Sequence, residues 1–161
     1  MLAEAQMVPY EGAVEFVRAN LDEPAATWQL EGTFGHLVMV NSLYTVNDPR
    51  ACLSQIITLA APGAKLVISA PKAAPDMTAV LTEHLRLVAE SGGDAEAERQ
   101  RVQNDFAGIM AINRQILSHQ TFHFADQSTL LSWFDNTGWS ILSLSTTYAG
   151  QNWLALAHRS P

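Results

Sequence analysis

Residues 34–72 constrain the fold of this chain more than any other segment. They read FGHLVMVNSLYTVNDPRACLSQIITLAAPGAKLVISAPK. The near-continuous apolar run at 36–41 predicts a strand covered on both faces. Asp48 and Pro49 fit the N-cap and the first position of a helix, a Pro-Gly pair ends that helix, and strand 65–70 follows. A strand, a helix and a strand within about 35 residues predict a right-handed crossover between parallel neighbours.

The segments around this unit predict one further strand and a pair of helices. Residues 14–19 alternate in a β-rich run, which predicts a strand, and residues 1–7 resemble the end of a helix. Residues 76–117 show two helical periodicities that Gly92 and Gly93 interrupt. We expect these helices to form a cap over the sheet.

The C-terminal part predicts a helix followed by two strands. Asp126 fits the N-cap of the helix, and the strands 139–147 and 153–158 are joined by a turn, as in a hairpin. A chain of 161 residues is the size of one domain, so we expect a single α/β domain over 1–161. Its predicted parts are a sheet core at 14–72, a helical cap at 76–117, and a C-terminal helix and strand pair at 124–161.

Charge, cysteine content and hydropathy exclude several classes of protein. Nine Lys and Arg against sixteen Asp and Glu give a net charge of −7, so nucleic acid is not an expected partner. The single cysteine, Cys52, lies among apolar helix residues, which predicts a buried, inert thiol and a reducing compartment. No apolar stretch reaches about 18 residues, so a cytoplasmic protein without a membrane anchor is expected. Hydrophobic residues make up 48% of the chain, which favours an oligomer or a bound apolar ligand.

The order of these elements resembles the C-terminal part of the class I, Rossmann-like, S-adenosylmethionine-dependent methyltransferases. The resemblance is carried by the segment that corresponds to the family's fourth and fifth strands. This segment contains a strand that enters Asn-Ser-Leu-Tyr, an Asp-Pro helix start and a Pro-Gly turn before the next strand. The resemblance implies an incomplete Rossmann-like sheet, mostly parallel with a C-terminal antiparallel strand, under a helical cap. The family's glycine-rich loop after its first strand, and the acidic residue that ends its second, are missing from this sequence. A truncated methyltransferase is therefore expected.

The same resemblance implies cofactor and substrate contacts. Asn20 takes the place of the acidic residue that contacts adenine in the family, with Leu21 beside it. Asn41 and Ser42 would lie beside the sulfonium, and Tyr44 would contact the substrate. The implied cofactor is S-adenosylmethionine. We expect it to bind weakly or not at all to the isolated chain, because the missing loop supplies the main-chain N–H groups that hold such a ligand.

Each of these residues also has a purely structural interpretation. Asn20 could bond its own turn, and Asp22 is then the alternative contact for adenine. Asn41 and Ser42 could cap the following turn, and Tyr44 could be a half-buried core aromatic residue.

The histidines do not predict a metal site. His119 and His123 have the spacing of two ligands on one helical face, but the helix is expected to end between them and no further ligand cluster lies nearby. His84 falls on an apolar helix face and is expected to be a hydrogen-bonded core residue.

Loss of the family's first two strands would leave strand 36–41 as an open sheet edge. Strand 14–19 could move inward to pair with it, two copies of the chain could join there, or another polypeptide could supply the missing strands. We expect a homodimer or a partner chain that pairs with 36–41.

Two functions remain open at this point. The chain is either a partial methyltransferase, acting on a small molecule only if another chain completes its cofactor site, or a non-enzymatic binding or interaction module that kept the scaffold. A scaffold alone does not decide between them.

Overall fold

The computed structural model describes residue 14 and residues 16–119 and 122–160. The helix end expected over 1–7 lies outside the described residues. At the centre is a four-stranded sheet in the order β1-β2-β4-β3. Its strands are β1 (Phe34–Val40), β2 (Ala60–Pro71), β3 (Trp139–Thr147) and β4 (Asn152–Arg159). β1 and β2 run parallel, and β4 is antiparallel to both β2 and β3. The predicted α/β fold, with a parallel crossover and a C-terminal hairpin, is confirmed.

Four helices accompany the sheet in the described part of the chain. They are α1 (Pro49–Ile56), α2 (Met77–Glu90), α3 (Ala95–His119) and α4 (Gln127–Phe134). The predicted caps of α1 and α4 are confirmed: the Asp48 side chain accepts a hydrogen bond from the Ala51 N–H at 3.0 Å, and Asp126 accepts one from the Thr129 N–H at 2.7 Å. Each cap pairs a helix N–H that has no partner within the helix.

The hydrophobic core lies between one face of the sheet and the helices α1 and α4. Leu53 of α1, Leu66 of β2 and Leu130 of α4 belong to one cluster and are each 0% exposed. Burying a side chain of this size stabilises the fold by about 1.5–3 kcal/mol relative to leaving it in water. Cys52 lies in the same cluster, so its predicted burial is confirmed.

The connection from α1 to β2 differs from the prediction. The helix ends at Ile56, a 3₁₀ turn follows at Ile57–Leu59, and β2 begins at Ala60 rather than at 65. The Pro62-Gly63 pair, expected to end the helix, lies instead within β2 where its pairing with β1 shifts register. Gly63 has φ 72°, a backbone conformation that residues with a Cβ avoid. The glycine therefore serves a bulge rather than a helix end.

The strand predicted over 14–19 is wrong for the described residues of that range. Residue 14 and residues 16–19 form no strand and do not pair with β1. The chain that follows folds onto α1 instead: Trp28 is buried and its Nε1 donates to the Asn20 carbonyl at 2.8 Å, while the Ala25 N–H donates to Gln55 Oε1 at 2.7 Å. Alternation of side chains indicates an extended segment, but a strand also needs a neighbour for its backbone groups.

Helices α2 and α3 pack together as the predicted pair. Gly92, with φ 83°, and Gly93 lie in their connection, as predicted. His84 is exposed, so the prediction that it is a core residue is wrong; its Nε2 lies 2.8 Å from Glu98 Oε1 on α3. At the rim between two helices, an imidazole can bond a carboxylate and still contact water.

Within the part of the chain that the structure describes, no helix combines the length and apolarity needed to cross a membrane.

β1 is an edge strand whose outer side pairs with no described strand. Val38 is 66% exposed and Val40 is 52% exposed, whereas Met39 between them is 7% exposed. Alternation places both valines on the sheet face opposite α1 and α4. β1 contains no proline and no Asp, Glu, Lys or Arg, which are residues that natural edge strands use against unwanted pairing. The described residues therefore leave an apolar edge uncovered.

Candidate functional site

The chain leaves the sheet at Asn41, directly after β1. Asn41 has φ 49°, in the left-handed region that asparagine tolerates better than residues with larger side chains. Its N–H donates to the Ser69 carbonyl at 2.9 Å, so the turn is held against the end of β2. The carboxyl ends of two parallel strands meet here, which is where ligands bind in open α/β sheets.

An amide at the start of β4 completes this corner. Asn152 is 6% exposed, and its Nδ2 donates to Asn41 Oδ1 at 2.8 Å and to Ser69 Oγ at 3.1 Å. These two hydrogen bonds connect β1, β2 and β4 through side chains. The orientation of the Asn41 side chain is therefore fixed by a buried group rather than by solvent.

Three aromatic rings stand beside the corner. The ring centroid of Tyr44 lies 5.1 Å from that of Phe122 and 6.0 Å from that of Phe124, with interplanar angles of 27° and 19°. The His123 N–H donates to the Tyr44 carbonyl at 2.8 Å, which holds the two segments together. Burial raises the pKa of the Tyr44 hydroxyl above its usual range, so that this group is a neutral donor or acceptor at physiological pH.

The cap helices enclose a cavity of about 300 Å³ between themselves, the corner and the three rings. We call it the aromatic cavity. Helix side chains that line it include Met77, Val80, Ile109, Ile116 and Leu117. Gln151, which also lines it, donates from Nε2 to the Asp76 carbonyl at 2.8 Å and so ties the start of α2 to the β3–β4 turn. Among the described residues that line the cavity, none carries a charge.

A second cavity, of about 450 Å³, lies on the other side of the loop that follows β1. It is formed by residues 19–22 and 45–47, and we call it the polar cavity. Asn20 Oδ1 accepts from the Asp22 N–H at 3.1 Å, and Asp22 Oδ1 accepts from the Asn47 N–H at 2.7 Å. The first bond lies within one wall of the cavity, and the second joins its two walls.

The 3₁₀ turn Leu43–Thr45 separates the two cavities. Tyr44 lines the aromatic cavity, and Thr45 lines the polar cavity. Leu43 is 0% exposed and anchors the turn in the core. The turn is therefore a shared wall.

The structure divides the predicted site residues between these cavities. Asn41 and Tyr44 line the aromatic cavity together, whereas Asn20 and Leu21 line the polar cavity. Ser42 lines neither: its carbonyl accepts from the Thr45 N–H at 3.0 Å, and its side chain makes no capping hydrogen bond. The cofactor contacts expected of Asn20, Leu21, Asn41 and Ser42 stay predictions.

Sequence reasoning missed Asn152, Phe122 and Phe124. Asn152 falls in the predicted turn between strands 139–147 and 153–158, and nothing near it in sequence indicates its bond to Asn41. The two phenylalanines carried a signal, since residues two apart in an extended segment point to the same side.

No metal centre emerges from the described residues. They contain no group of three or more His, Cys, Asp or Glu side chains placed to hold an ion.

The Cys52 thiol is 2% exposed, and burial, followed by the charges of Asp22 and Asp48, raises its pKa to about 11. A thiol in this state is a poor nucleophile.

A family model described as a methyltransferase domain matches residues 4–144. The chain belongs to this family. The methyltransferase family expected from the sequence is thereby confirmed. No curated protein matches the chain.

Solved structures resemble this methyltransferase domain in fold. An S-adenosylmethionine-dependent methyltransferase from Mesorhizobium loti is 14% identical with a TM-score of 0.62, covering 99% of this chain and 76% of that one. An O-methyltransferase family protein from Burkholderia thailandensis is 15% identical with a TM-score of 0.51, covering 91% of this chain and 36% of that one. The domain thus spans less than two thirds of the second structure's length. At these identities the likeness shows the fold.

Proposed function

We propose that this domain contributes to S-adenosylmethionine-dependent methyl transfer to a small molecule, with its cofactor site completed by another chain. One observation carries the proposal: two cavities share one wall at the carboxyl end of β1, where ligands of α/β sheets bind. The aromatic cavity has the size of a small-molecule site. The polar cavity offers amide, hydroxyl and carboxylate groups to the donor.

In this proposal the cofactor lies across the shared wall. Its adenine occupies the polar cavity beside Asn20 and Leu21, and its sulfonium approaches Asn41 and Ser42. Tyr44 contacts the substrate in the aromatic cavity. Methyl transfer depends mainly on alignment of the acceptor with the sulfonium, so it needs no conspicuous catalytic acid or base.

We propose that the chain alone binds the donor weakly. The described walls carry few groups for the ribose and the methionine tail, and the sequence holds no glycine-rich loop of the kind whose N–H groups bind such ligands. Asn20 and Asp22 also use part of their hydrogen-bonding capacity within the polar cavity itself.

We further propose that a second copy of the chain pairs with β1. Two uncharged apolar edges can join without repulsion between like charges, although the chain as a whole carries −7. Joining would give backbone N–H and C=O groups at this edge partners and would place Val38 and Val40 beside side chains of the second copy.

Isothermal titration of the purified chain with S-adenosylmethionine tests the cofactor proposal. We expect a Kd weaker than about 100 μM, equivalent to less than about 5.5 kcal/mol of binding. Heat that disappears in Asn41→Ala, but not in the matched Asn136→Ala, would assign the binding to this site. Tight binding by the monomer would contradict the need for completion, and no heat in any oligomeric state would reject the enzymatic function.

Light scattering after gel filtration tests the pairing. We expect a dimer that Val40→Lys dissociates and Leu142→Lys leaves intact, because Leu142 is 54% exposed but lies on β3 at the opposite edge of the sheet. A monomeric wild-type chain would reject the homodimer. A mass that rises only with another protein would assign the edge to a different partner.

The exposed apolar edge also favours a second candidate, a non-enzymatic interaction module. Its distinguishing result is a stable complex formed through β1 with no donor binding before or after complex formation. Restoration of donor binding on complex formation would instead favour the partial enzyme.

A further inference from the structure

The aromatic cavity has a chemistry of its own, set by three rings on one side. Tyr44, Phe122 and Phe124 have centroids 5.1 to 6.0 Å apart and are each half-buried, so protein covers only part of their surface. Aromatic rings at such distances gain from offset or edge contacts with a further ring. This wall favours a planar π-system over a saturated chain.

Another part of the wall consists of apolar helix side chains that remain partly exposed. Ile109 is 45% exposed and Ile116 is 42% exposed, and both line the cavity from α3. A ligand between this wall and the rings would remove apolar surface from water on both of its faces. The cavity therefore offers apolar contacts to a ligand both from the rings and from α3.

The polar side chains that line the cavity are amides and two tyrosines, and none of its described lining residues is charged. A charged ligand would lose hydration here without gaining an opposite charge, which is unfavourable. The Nδ2 group of Asn41 and the side-chain amide of Asn113 have no hydrogen-bond partner among the described residues. They can donate to an oxygen or nitrogen atom on a neutral ligand.

The volume sets the size of the ligand. About 300 Å³ lies at the lower end of the roughly 300–1,000 Å³ typical of small-molecule sites. A compound of one or two fused rings fits this space, whereas a peptide or a nucleic-acid strand does not.

We propose that the aromatic cavity binds a neutral, planar aromatic small molecule whose polar substituent lies beside Asn41 and Asn113. This inference rests on the proposed function, since it names the class of substrate that would accept the methyl group. The ring lies between the aromatic wall and α3. Its hydroxyl or ring nitrogen is held by the amides, at the end of the cavity nearest the shared wall.

Three matched probes test the inference without any cofactor. They are 2-naphthol, 2-naphthoate and decahydro-2-naphthol, which compare a neutral aromatic, a charged aromatic and a neutral saturated compound. By isothermal titration and ligand-observed NMR, we expect 2-naphthol to bind at least about tenfold more tightly than either of the others. Equal binding of all three would overturn the inference.

Variants locate the binding. Phe122→Leu should weaken 2-naphthol binding about three- to tenfold through loss of ring contacts. The matched control Phe34→Leu changes an exposed phenylalanine on β1, outside the cavity, and should leave binding unchanged. Wild-type thermal stability in both variants shows that they are folded, and unchanged binding in folded Phe122→Leu would contradict the proposal.

A variant that introduces a charge provides a second, independent readout. Asn113→Asp should weaken binding of 2-naphthol and introduce binding of the cation 2-(aminomethyl)naphthalene, because the carboxylate supplies the opposite charge that the cavity lacks. The absence of this exchange would place the ligand elsewhere. If 2-naphthol binds as expected while titration with S-adenosylmethionine is silent, the proposed function fails and the aromatic specificity stands.

Discussion

The hydrogen bonds of Asn152 should make this residue one of the largest single polar contributions to stability. Asn152→Ala removes the bonds to Asn41 Oδ1 and to Ser69 Oγ, at 2.8 and 3.1 Å. Ser69 is 4% exposed, so its hydroxyl would be left buried without this partner. The lost bond to Asn41 costs about 1 kcal/mol and the unsatisfied buried Ser69 hydroxyl about 1–2 kcal/mol, which together predict a decrease of about 2–3 kcal/mol in the free energy of unfolding.

Urea unfolding followed by tryptophan fluorescence measures this decrease. With a slope of about 1–3 kcal/mol per molar urea, the midpoint should fall by about 1 M at unchanged slope. Asn152→Asp should be at least as destabilising, because a carboxylate cannot donate and would face the Asn41 oxygen. Ser143→Ala, an exposed change on β3, should stay within about 0.5 kcal/mol of wild type. An Asn152→Ala loss as small as that of the control would refute the assignment of stability to this corner.

Three further predictions concern the core and the helical cap. Cys52, with a pKa raised to about 11 by burial and by nearby carboxylates, should react with a thiol reagent at pH 8 only as the protein unfolds; rapid labelling of the folded chain would contradict its burial. Gly138→Ala should lower stability by about 1–3 kcal/mol in thermal denaturation, because φ is 83° and a Cβ would lie 2.5 Å from Ile57 Cδ1; an unchanged melting temperature would show that the backbone and Ile57 adjust freely. Hydrogen bonds from Arg101 and then His84 lower the pKa of Glu98 to about 2. The contribution of Glu98 to the stability of the helical cap should therefore be present above the unfolded pKa of about 4.3, and it should be lost as the pH falls towards 2. Hydrogen exchange in α2 and α3 should show this loss of stability in the wild type and in the control Glu96→Gln, but not in Glu98→Gln. Identical pH profiles in all three proteins would disprove the role of Glu98.

The parts of the fold that the sequence predicts are those set by local chemistry. Asp48 and Asp126 are recognisable because a cap is formed by one side chain and the backbone three residues later. β1 and β2 are recognisable because they are continuous apolar runs. The strand expected at 14–19 fails for the opposite reason: its pattern indicates an extended chain but carries no information about which chain would pair with it.

The candidate site could be predicted only on the side that is continuous in sequence. Asn41 and Tyr44 follow directly after a strand, and the resemblance to a known family drew attention to them. Asn152 is separated from Asn41 by 111 residues, and the rings of Tyr44 and Phe122 stack although the two residues are distant in sequence. Contacts of this kind depend on the register of β4 and on where α3 ends, and element boundaries are the least certain outcome of pattern analysis.

The buried Leu43 has a consequence for how ligands of this domain can change. Because the core fixes the turn that carries Tyr44 and Thr45, the spacing between the two cavities is set by the fold. It does not depend on which ligand is bound. A substitution at Tyr44 would change the lining of the aromatic cavity and leave the geometry of the polar cavity unchanged. If the proposed function holds, a change of methyl acceptor at the aromatic cavity would leave the proposed donor site in the polar cavity unaltered.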